Sequence, residues 1–409
     1  MIGGMLMNAV GIDVSKGKSM VAAMRPFGEV VVKPFEVRHT ASELRKLADY
    51  LKSLNGETRV IMEYTGRYYQ PIARYLYEAG IFVSAVHAKL IHDYGNNSIR
   101  KVKTDKADAV KIANYGLTNW VFLKQYAPED DTRLLLKTYN RQYGQYMKLR
   151  IALKNNLIAL LDQTFPGINT LFSSPARSDG HEKWLDFVAK FWHCECVSKL
   201  TKAKFIVRYN KWCTQARYYG SDAKAADIYE LACRQVPTLP CSEATKKLVE
   251  QTVKQINTLM STLVSVRQEM QRLAALLPEY PVVLAMCGVG NVLGPQLMAE
   301  IGDVRRFPHK QSLIAFAGVD APPFQSGTFE STDRSISKRG SPYLRKTLFL
   351  VMGCLLQTAP ATNTVFQFLD RKRAQGKHYY VYMIAGCNKF LRIYYARVKE
   401  FLNALSSAA

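Results

Sequence analysis

Ala9-Val10-Gly11-Ile12-Asp13-Val14-Ser15-Lys16 is the stretch on which the N-terminal third of this chain turns. Residues 9 to 14 read as a strand, and an otherwise apolar strand has no structural use for a charge, so Asp13 is singled out as a functional group. Working outward, Ser19 to Met24 and Glu29 to Val37 read as two more strands, the third opened by a turn at Gly28. Thr40 with Glu43 three residues on forms a capping box for a helix through Leu54. Thr58 to Tyr64 is a β-branched run that carries a second carboxylate, Glu63, in Val60-Ile61-Met62-Glu63-Tyr64-Thr65-Gly66. A helix from Arg67 to Glu78, a stop at Gly80, a strand from Ile81 to His87 and a helix from about Thr104 to Leu117 complete the pattern.

The order βββαβαβα is that of a ribonuclease H-like α/β domain, in which the first and fourth strands are neighbours. Asp13 and Glu63 are therefore expected at one edge region of the sheet. Asp105 and Asp108, in Lys103-Thr104-Asp105-Lys106-Ala107-Asp108-Ala109, lie three apart and share a helix face. Alone they read as a capping pair on a solvated helix start. Together, four carboxylates repel one another unless divalent cations lie between them. Two Mg²⁺ ions would neutralise all four charges, and such a pair roughly 4 Å apart serves phosphoryl transfer. Asp13, Glu63, Asp105 and Asp108 are thus expected as both metal ligands and catalytic residues, with Mn²⁺ as the substitute for Mg²⁺.

The chain has 409 residues, 48% of them hydrophobic, and 56 Lys plus Arg against 33 Asp plus Glu, a net charge of +23. This length suits two or three domains. The surplus points to a polyanion, because each phosphate neutralised by Lys or Arg releases condensed counterions. Nucleic acid is favoured over a membrane surface, since the longest apolar run, Thr347 to Ala359, is too short to cross roughly 30 Å of hydrocarbon. The apolar start Met1 to Met7 lacks a basic segment and does not read as a signal peptide. The eight cysteines, five of them between 194 and 241, suit reduced thiols of a cytoplasmic protein.

From Asp131 to Leu161 the periodicity becomes helical, with Tyr146, Leu149, Leu153, Leu157 and Leu160 as the apolar face. A second long helix, Glu243 to Leu277, places Val249, Val253, Ile256, Met260, Leu263, Val266, Met270 and Leu273 on one seam close to a heptad repeat. The two are expected to pair as an antiparallel coiled coil. The expected domains are 1–125 (α/β), 126–280 (coiled coil, with an insertion at about 167–242 to which no function is assigned) and 281–409 (mainly α). His193-Cys194-Glu195-Cys196 offers zinc-ligand types, but no second pair at ligand spacing completes it, so no zinc site is read there.

In the last domain, Gly288-Val289-Gly290 reads either as a helix-hairpin-helix turn whose amides hold a phosphate or as a plain glycine turn. Ser326, in Pro322-Pro323-Phe324-Gln325-Ser326-Gly327, follows a proline turn and precedes the cations of Lys338-Arg339-Gly340-Ser341-Pro342-Tyr343-Leu344-Arg345-Lys346. Taken alone it is one loop serine among several. The C-terminal run from Arg371 to Lys399 mixes cations with aromatics, suiting either backbone neutralisation with stacking or a solvated basic face.

The ordered set of motifs resembles the DEDD transposases of insertion sequences of family one-ten, which include the Piv-type DNA invertases. The likeness rests on Gly11-Ile12-Asp13-Val14-Ser15-Lys16, Glu63 with Thr65-Gly66, and Lys103 to Ala109. Farther on it rests on Cys287-Gly288-Val289-Gly290, Glu300-Ile301-Gly302-Asp303, Arg306-Phe307, Phe316-Ala317-Gly318-Val319, Gln325-Ser326-Gly327 and Ile336-Ser337-Lys338-Arg339-Gly340. The resemblance implies a RuvC-like domain whose Asp13, Glu63, Asp105 and Asp108 bind Mg²⁺, and a transposase domain whose Ser326 attacks a DNA phosphate to give a phosphoserine intermediate in a composite site. It also implies an element-encoded noncoding bridge RNA that pairs with donor and target DNA. Gly288, Gly290, Lys338, Arg339, Arg345 and Lys346 are the expected nucleic-acid contacts. Strand exchange between two duplexes needs more than one active site, so a dimer assembling to a tetramer is expected, in the nucleoid of a prokaryotic cytoplasm. Two other readings stand beside this one: a junction-resolving nuclease that uses water and needs no serine, and a nucleic-acid-binding protein without catalysis.

Overall fold

The computed structural model describes residues 6–64, 66–94, 104–322, 325–326, 329–330 and 335–408. They divide into two compact units, Met1–Pro128 and Glu129–Ala409. Among the described residues no helix is long and apolar enough to cross a membrane.

The first unit is built on strands β1 (Met7–Ser15), β2 (Lys18–Met24) and β3 (Val30–Arg38), helix α1 (Ala41–Ser53), β4 (Glu57–Tyr64), α2 (Tyr69–Glu78), β5 (Phe82–His87), α3 (Ala88–Tyr94) and α4 (Asp105–Thr118). The expected boundaries hold to within two residues, and α3 is an addition the periodicity does not reveal. The strands run in the order β3-β2-β1-β4-β5, antiparallel from β3 to β1 and parallel from β1 to β5. This mixed sheet fits a ribonuclease H-like domain, with the first and fourth strands adjacent as expected. Strand alternation sorts the core onto two faces. Val10 and Ile12 point to the side of α1 and α2, where Leu44, Leu47, Ile72 and Leu76 are buried. Ala9 and Ile61 point to the other side, against Ile112 and Ala113 of α4.

The second unit is helical: α5 (Asp131–Thr164), α6 (Lys183–Lys190), α7 (Glu195–Ser198), α8 (Lys202–Gln215), α9 (Asp222–Arg234), α10 (Glu243–Ala275), α11 (Tyr280–Leu284), α12 (Leu293–Ile301) and α13 (Lys310–Ala317), a hairpin of β6 (Gln325–Ser326) and β7 (Phe329–Glu330), then α14 (Pro342–Thr358), α15 (Thr364–Ala374) and α16 (Tyr379–Ala408). Helices α5 and α10 pack together and run antiparallel: Arg267, late in α10, donates to the Tyr143 hydroxyl in the first half of α5. The α10 seam is as expected, with Val249, Val253, Ile256, Met260, Leu263, Met270 and Leu273 buried and Val266 packed beside them. The α5 face agrees in part, with Leu157 buried and Tyr146 and Leu153 packed against the core. Leu149 is 53% exposed, and the inward stripe runs through Leu136, Asn140, Tyr143, Leu157 and Leu161. That stripe contains polar residues because their partners lie elsewhere in the chain: Asn140 bonds Glu300, and Arg150 and Lys154 both donate to Glu182. Hydrophobic periodicity does not see such positions.

The segment between the two long helices forms α6 to α9 around a knot of aromatic rings, Phe187, Phe191, Phe205, Tyr209 and Trp212. In the same extended apolar core, α12 packs against α5, α10 and α14 and is buried along nearly its whole length. The buried Arg133–Glu279 pair, 2.5 Å apart, ties the start of α5 to the residue preceding α11.

Candidate active site

The acidic cluster follows from two periodicities. Ile12 of β1 pairs with Met62 of β4, so Asp13 and Glu63 stand one step beyond the paired rungs. Period-two alternation puts both on the face that Gly11 and Ile61 share, the side covered by α4. On α4, Ala109, Ile112, Ala113 and Gly116 are the buried stripe. Asp105 and Asp108 extend that stripe by one turn at i−4 and i−1 from Ala109, and reach the end of the sheet where Asp13 and Glu63 emerge. Thr104 caps the helix by accepting from the Ala107 amide at 3.2 Å, which fixes the first turn that carries both aspartates. The capping role thus belongs to Thr104.

Two glycines make the close approach of α4 feasible. A Cβ on Gly11 would collide with the Ala109 carbonyl and the Ala113 amide, and one on Gly116 would collide with Ile61 Cδ1. Glycine at 11 therefore sets how near α4 comes to β1, and with it the distance between Asp108 and Asp13.

The electrostatics record the convergence. Burial, then the charges of Asp105, Asp108 and Glu63, pushes the Asp13 carboxyl from its ordinary 3.8 up to about 6. Burial and Asp108 also raise Glu63, which Lys111 opposes. Asp105 is exposed while Asp13, Glu63 and Asp108 are half-buried, so the cluster opens toward solvent on one side. Sequence reasoning missed Lys111, which lies one helical turn after Asp108. Thr65 and Lys103 of the motifs lie outside the described residues.

In the second unit, the backbone of Ser326 pairs with Phe329 in the β6–β7 hairpin. Pro323, Phe324, Gly327, Thr328 and 331–334 lie outside the described residues. The basic segment that follows is tied down by its backbone. The Ser337 amide donates to the Asp320 carbonyl at 2.8 Å, Lys338 to Gly318 at 3.2 Å and Ser341 to Phe316 at 2.7 Å. Lys338 takes a left-handed φ of +52°. A side chain on Gly340 would strike the Phe316 carbonyl. Lys338, Arg339 and Lys346 are exposed, whereas Arg345 is half-buried and donates to the Ala317 carbonyl at 3.1 Å. Arg345 therefore braces the segment. Gly288, at φ +78°, is packed against Val351 and Leu355 of α14, whereas Gly290 faces open space. Along the C-terminal run, Lys389 sits over the Phe368 ring and Arg373 pairs with Asp370, so part of that cationic surface is engaged within the chain.

Glu300 carries no functional role on sequence alone. It is fully buried and accepts from Asn140 at 2.8 Å, from Arg141 at 2.7 Å and from the Ser341 hydroxyl at 3.0 Å, while Arg141 stacks on Tyr343. Ser341 in turn caps α14. The network locks the N-terminus of α14, and so the end of the basic segment, to α5 and α12. Its signal in the sequence is a lone carboxylate in an apolar helix.

Comparison with known proteins agrees with this arrangement. A family profile described as a transposase matches residues 10–166, which include all four carboxylates. A second, described as a transposase of the IS116/IS110/IS902 family, matches residues 280–367, which include Ser326 and the basic segment. The pilin gene-inverting protein of Moraxella bovis is 22% identical over 341 residues, covering 83% of this chain and 80% of its own length. An uncharacterised protein of insertion element IS116 from Streptomyces clavuligerus is 24% identical over 319 residues, 78% of this chain and 77% of its own. With both profiles matched in order, the chain belongs to the IS116/IS110/IS902 family of transposases.

Proposed function

We propose that this protein is a DNA recombinase that cuts and rejoins strands through Ser326 with the assistance of a divalent-metal site at Asp13, Glu63, Asp105 and Asp108. The observation that carries the reading is the gathering of four carboxylates at one end of the sheet, where Asp13 is pushed up to about 6. An unshielded acidic cluster is unfavourable, and an all-oxygen donor set of this kind suits a hard cation such as Mg²⁺, with Mn²⁺ as substitute. When bound, the ions would stabilise negative charge on a phosphate undergoing transfer.

The chain's own groups supply the rest. Ser326 Oγ forms a bond to phosphorus as the bond from phosphorus to the 3′ oxygen breaks, and the serine proton ends on the released 3′ hydroxyl. Attack by a 3′ hydroxyl from the second duplex reverses the step and restores the serine, so the total number of phosphodiesters is unchanged and no external energy source is required. Exposed Lys338, Arg339 and Lys346 neutralise phosphates beside the serine, with Gly290, which has open space on its Cα, as a further backbone contact at the α11–α12 turn. Arg345 and Glu300 hold that segment in place. Donor and target duplexes are the substrates, and an element-encoded bridge RNA supplies sequence choice by base pairing. The chain works as a dimer that assembles to a tetramer, with α5 and α10 as the coiled-coil joint.

The test is plasmid recombination in cells carrying the whole element. Ser326→Ala is expected to abolish recombination and, in vitro, the covalent protein–DNA adduct trapped on nicked substrate. Asp13→Asn is expected to lower recombination at least about a hundredfold. A Ser326→Ala variant that still recombines would overturn the serine mechanism in favour of hydrolysis by water.

A further inference from the structure

A second cluster of ligand-type side chains lies far along the chain from the acidic one. The ligand atoms of His193, Glu195 and Cys241 all lie within 4.8 Å of one another. Cys196, one residue beyond Glu195, lies close enough to Cys241 for the two thiols to act on each other's charge. His193 and Glu195 flank the start of α7, and Cys241 immediately precedes Ser242, the cap of α10. Separation in sequence hid this grouping: Cys241 is neither paired nor spaced like a ligand in the chain, and α8 and α9 fold back to bring it to the others.

We infer that His193, Glu195, Cys196 and Cys241 form a zinc site that staples the end of α5 and the start of α10 to the helices between them. The His193 ring is fully buried, and its Nε2 donates to the Leu239 carbonyl at 3.1 Å. That bond assigns the proton to Nε2 and leaves Nδ1 as the ligating atom, the orientation that metal-bound imidazoles adopt when a carbonyl holds the opposite nitrogen. Nδ1 now accepts the Glu195 amide at 3.1 Å and lies 3.9 Å from the Cys194 sulfur. One imidazole, two thiols and a carboxylate make the mixed N, S and O set that tetrahedral zinc takes, unlike the all-oxygen set at the other end of the sequence. Two thiolates and a carboxylate around Zn²⁺ leave a single negative charge. Lys199, paired with Glu195 at 2.5 Å, and Arg208, which acts on Cys196, are the cations placed to offset it. Binding displaces the two thiol protons and involves no redox change.

The position gives the site its purpose. The Cys194 amide donates to the Thr164 carbonyl at the end of α5, and the amides of Thr238 and Leu239 both donate to Gln163. A metal there would tie together three segments at a point where backbone bonds and the apolar core already bring them close. The inference is independent of the recombinase reading.

The experiment uses the full-length protein carrying Asp13→Asn and Asp108→Asn, which empty the acidic site of bound cations. Protein grown with zinc, kept reduced and desalted without chelator, is expected to retain about one zinc per chain by elemental analysis. Cys241→Ser, a change at an exposed residue, is expected to lower the zinc content at least about tenfold with an unchanged far-ultraviolet circular dichroism spectrum, while Cys233→Ser, also exposed but outside the cluster, keeps it. Cobalt reloading should give tetrahedral thiolate bands that Cys241→Ser loses. Background zinc in the reduced protein, equal zinc with and without Cys241, or a Cys196–Cys241 disulfide in protein isolated under thiol-blocking conditions would each overturn the proposal.

Discussion

A carboxyl group with a folded pKa of about 6 in place of 3.8 holds its proton more tightly in the folded than in the unfolded chain. The sign follows: Asp13 contributes stability below pH 3.8, and that contribution is lost as pH rises toward 6, where the folded group must ionise beside Glu63, Asp105 and Asp108. In chelator at pH 7, Asp13→Asn should therefore melt several degrees above the wild type, with the difference disappearing near pH 4. Added Mg²⁺ should raise the wild type and leave the variant nearly unmoved. Equal melting temperatures at pH 7 in chelator would show that the four charges do not repel. Asp13 itself was legible in sequence as a charge in an apolar strand. Lys111, Glu300 and Cys241 were not, because each acquires its meaning from a partner brought by the fold: Glu63 for the first, Asn140 and Arg141 for the second, His193 for the third.

At the level of elements, the βββαβαβα arrangement of the first unit was readable because its strands are short, β-branched and punctuated by Gly28, Gly56 and Gly80, all at positive φ. Helix α3 escaped notice because it starts directly after β5 with no cap or breaker between His87 and Ala88. Helix α5 was readable as a helix but only in part in its facing, since Asn140, Arg150 and Lys154 sit on the inward stripe where apolar residues were expected. The contact between α4 and β1 makes a sharp prediction. Gly11→Ala should destabilise the protein by about 1–3 kcal/mol through overpacking and impair recombination as Asp108 is displaced from Asp13. Gly290→Ala, in open space, should change stability by less than about 0.5 kcal/mol. Denaturant midpoints of the two variants check this, and a neutral Gly11→Ala would show that α4 does not rest on β1.

For the molecule as a whole, the +23 charge predicts DNA affinity that falls steeply with salt, by roughly 10³–10⁵ between 50 and 200 mM if about 6–10 phosphates are contacted. Replacing both Lys338 and Arg339 by Ala should reduce the slope of log affinity against log salt by about 2, with little change in preference among sequences. A fluorescence-anisotropy salt titration reads both quantities, and an unchanged slope would remove that segment from the DNA contact. Charge alone points to a polyanion as partner; the proposed contacts at Lys338, Arg339 and Lys346, which follow Ser326 in the chain, are what this titration tests.

The paired long helices carry a constraint of another kind. With 34 residues in α5 and 33 in α10, each spans about 50 Å at 1.5 Å per residue. Because each residue also advances the helix by about 100°, losing one residue from the middle of α5 alone would swing everything beyond the deletion around the axis and out of phase with α10. Length changes are tolerable only when both helices alter together by whole turns. Among relatives, insertions and deletions should therefore fall in the segments flanking the helices or arrive in both as matched pairs, a coupling of gaps detectable in sequences with no knowledge of structure.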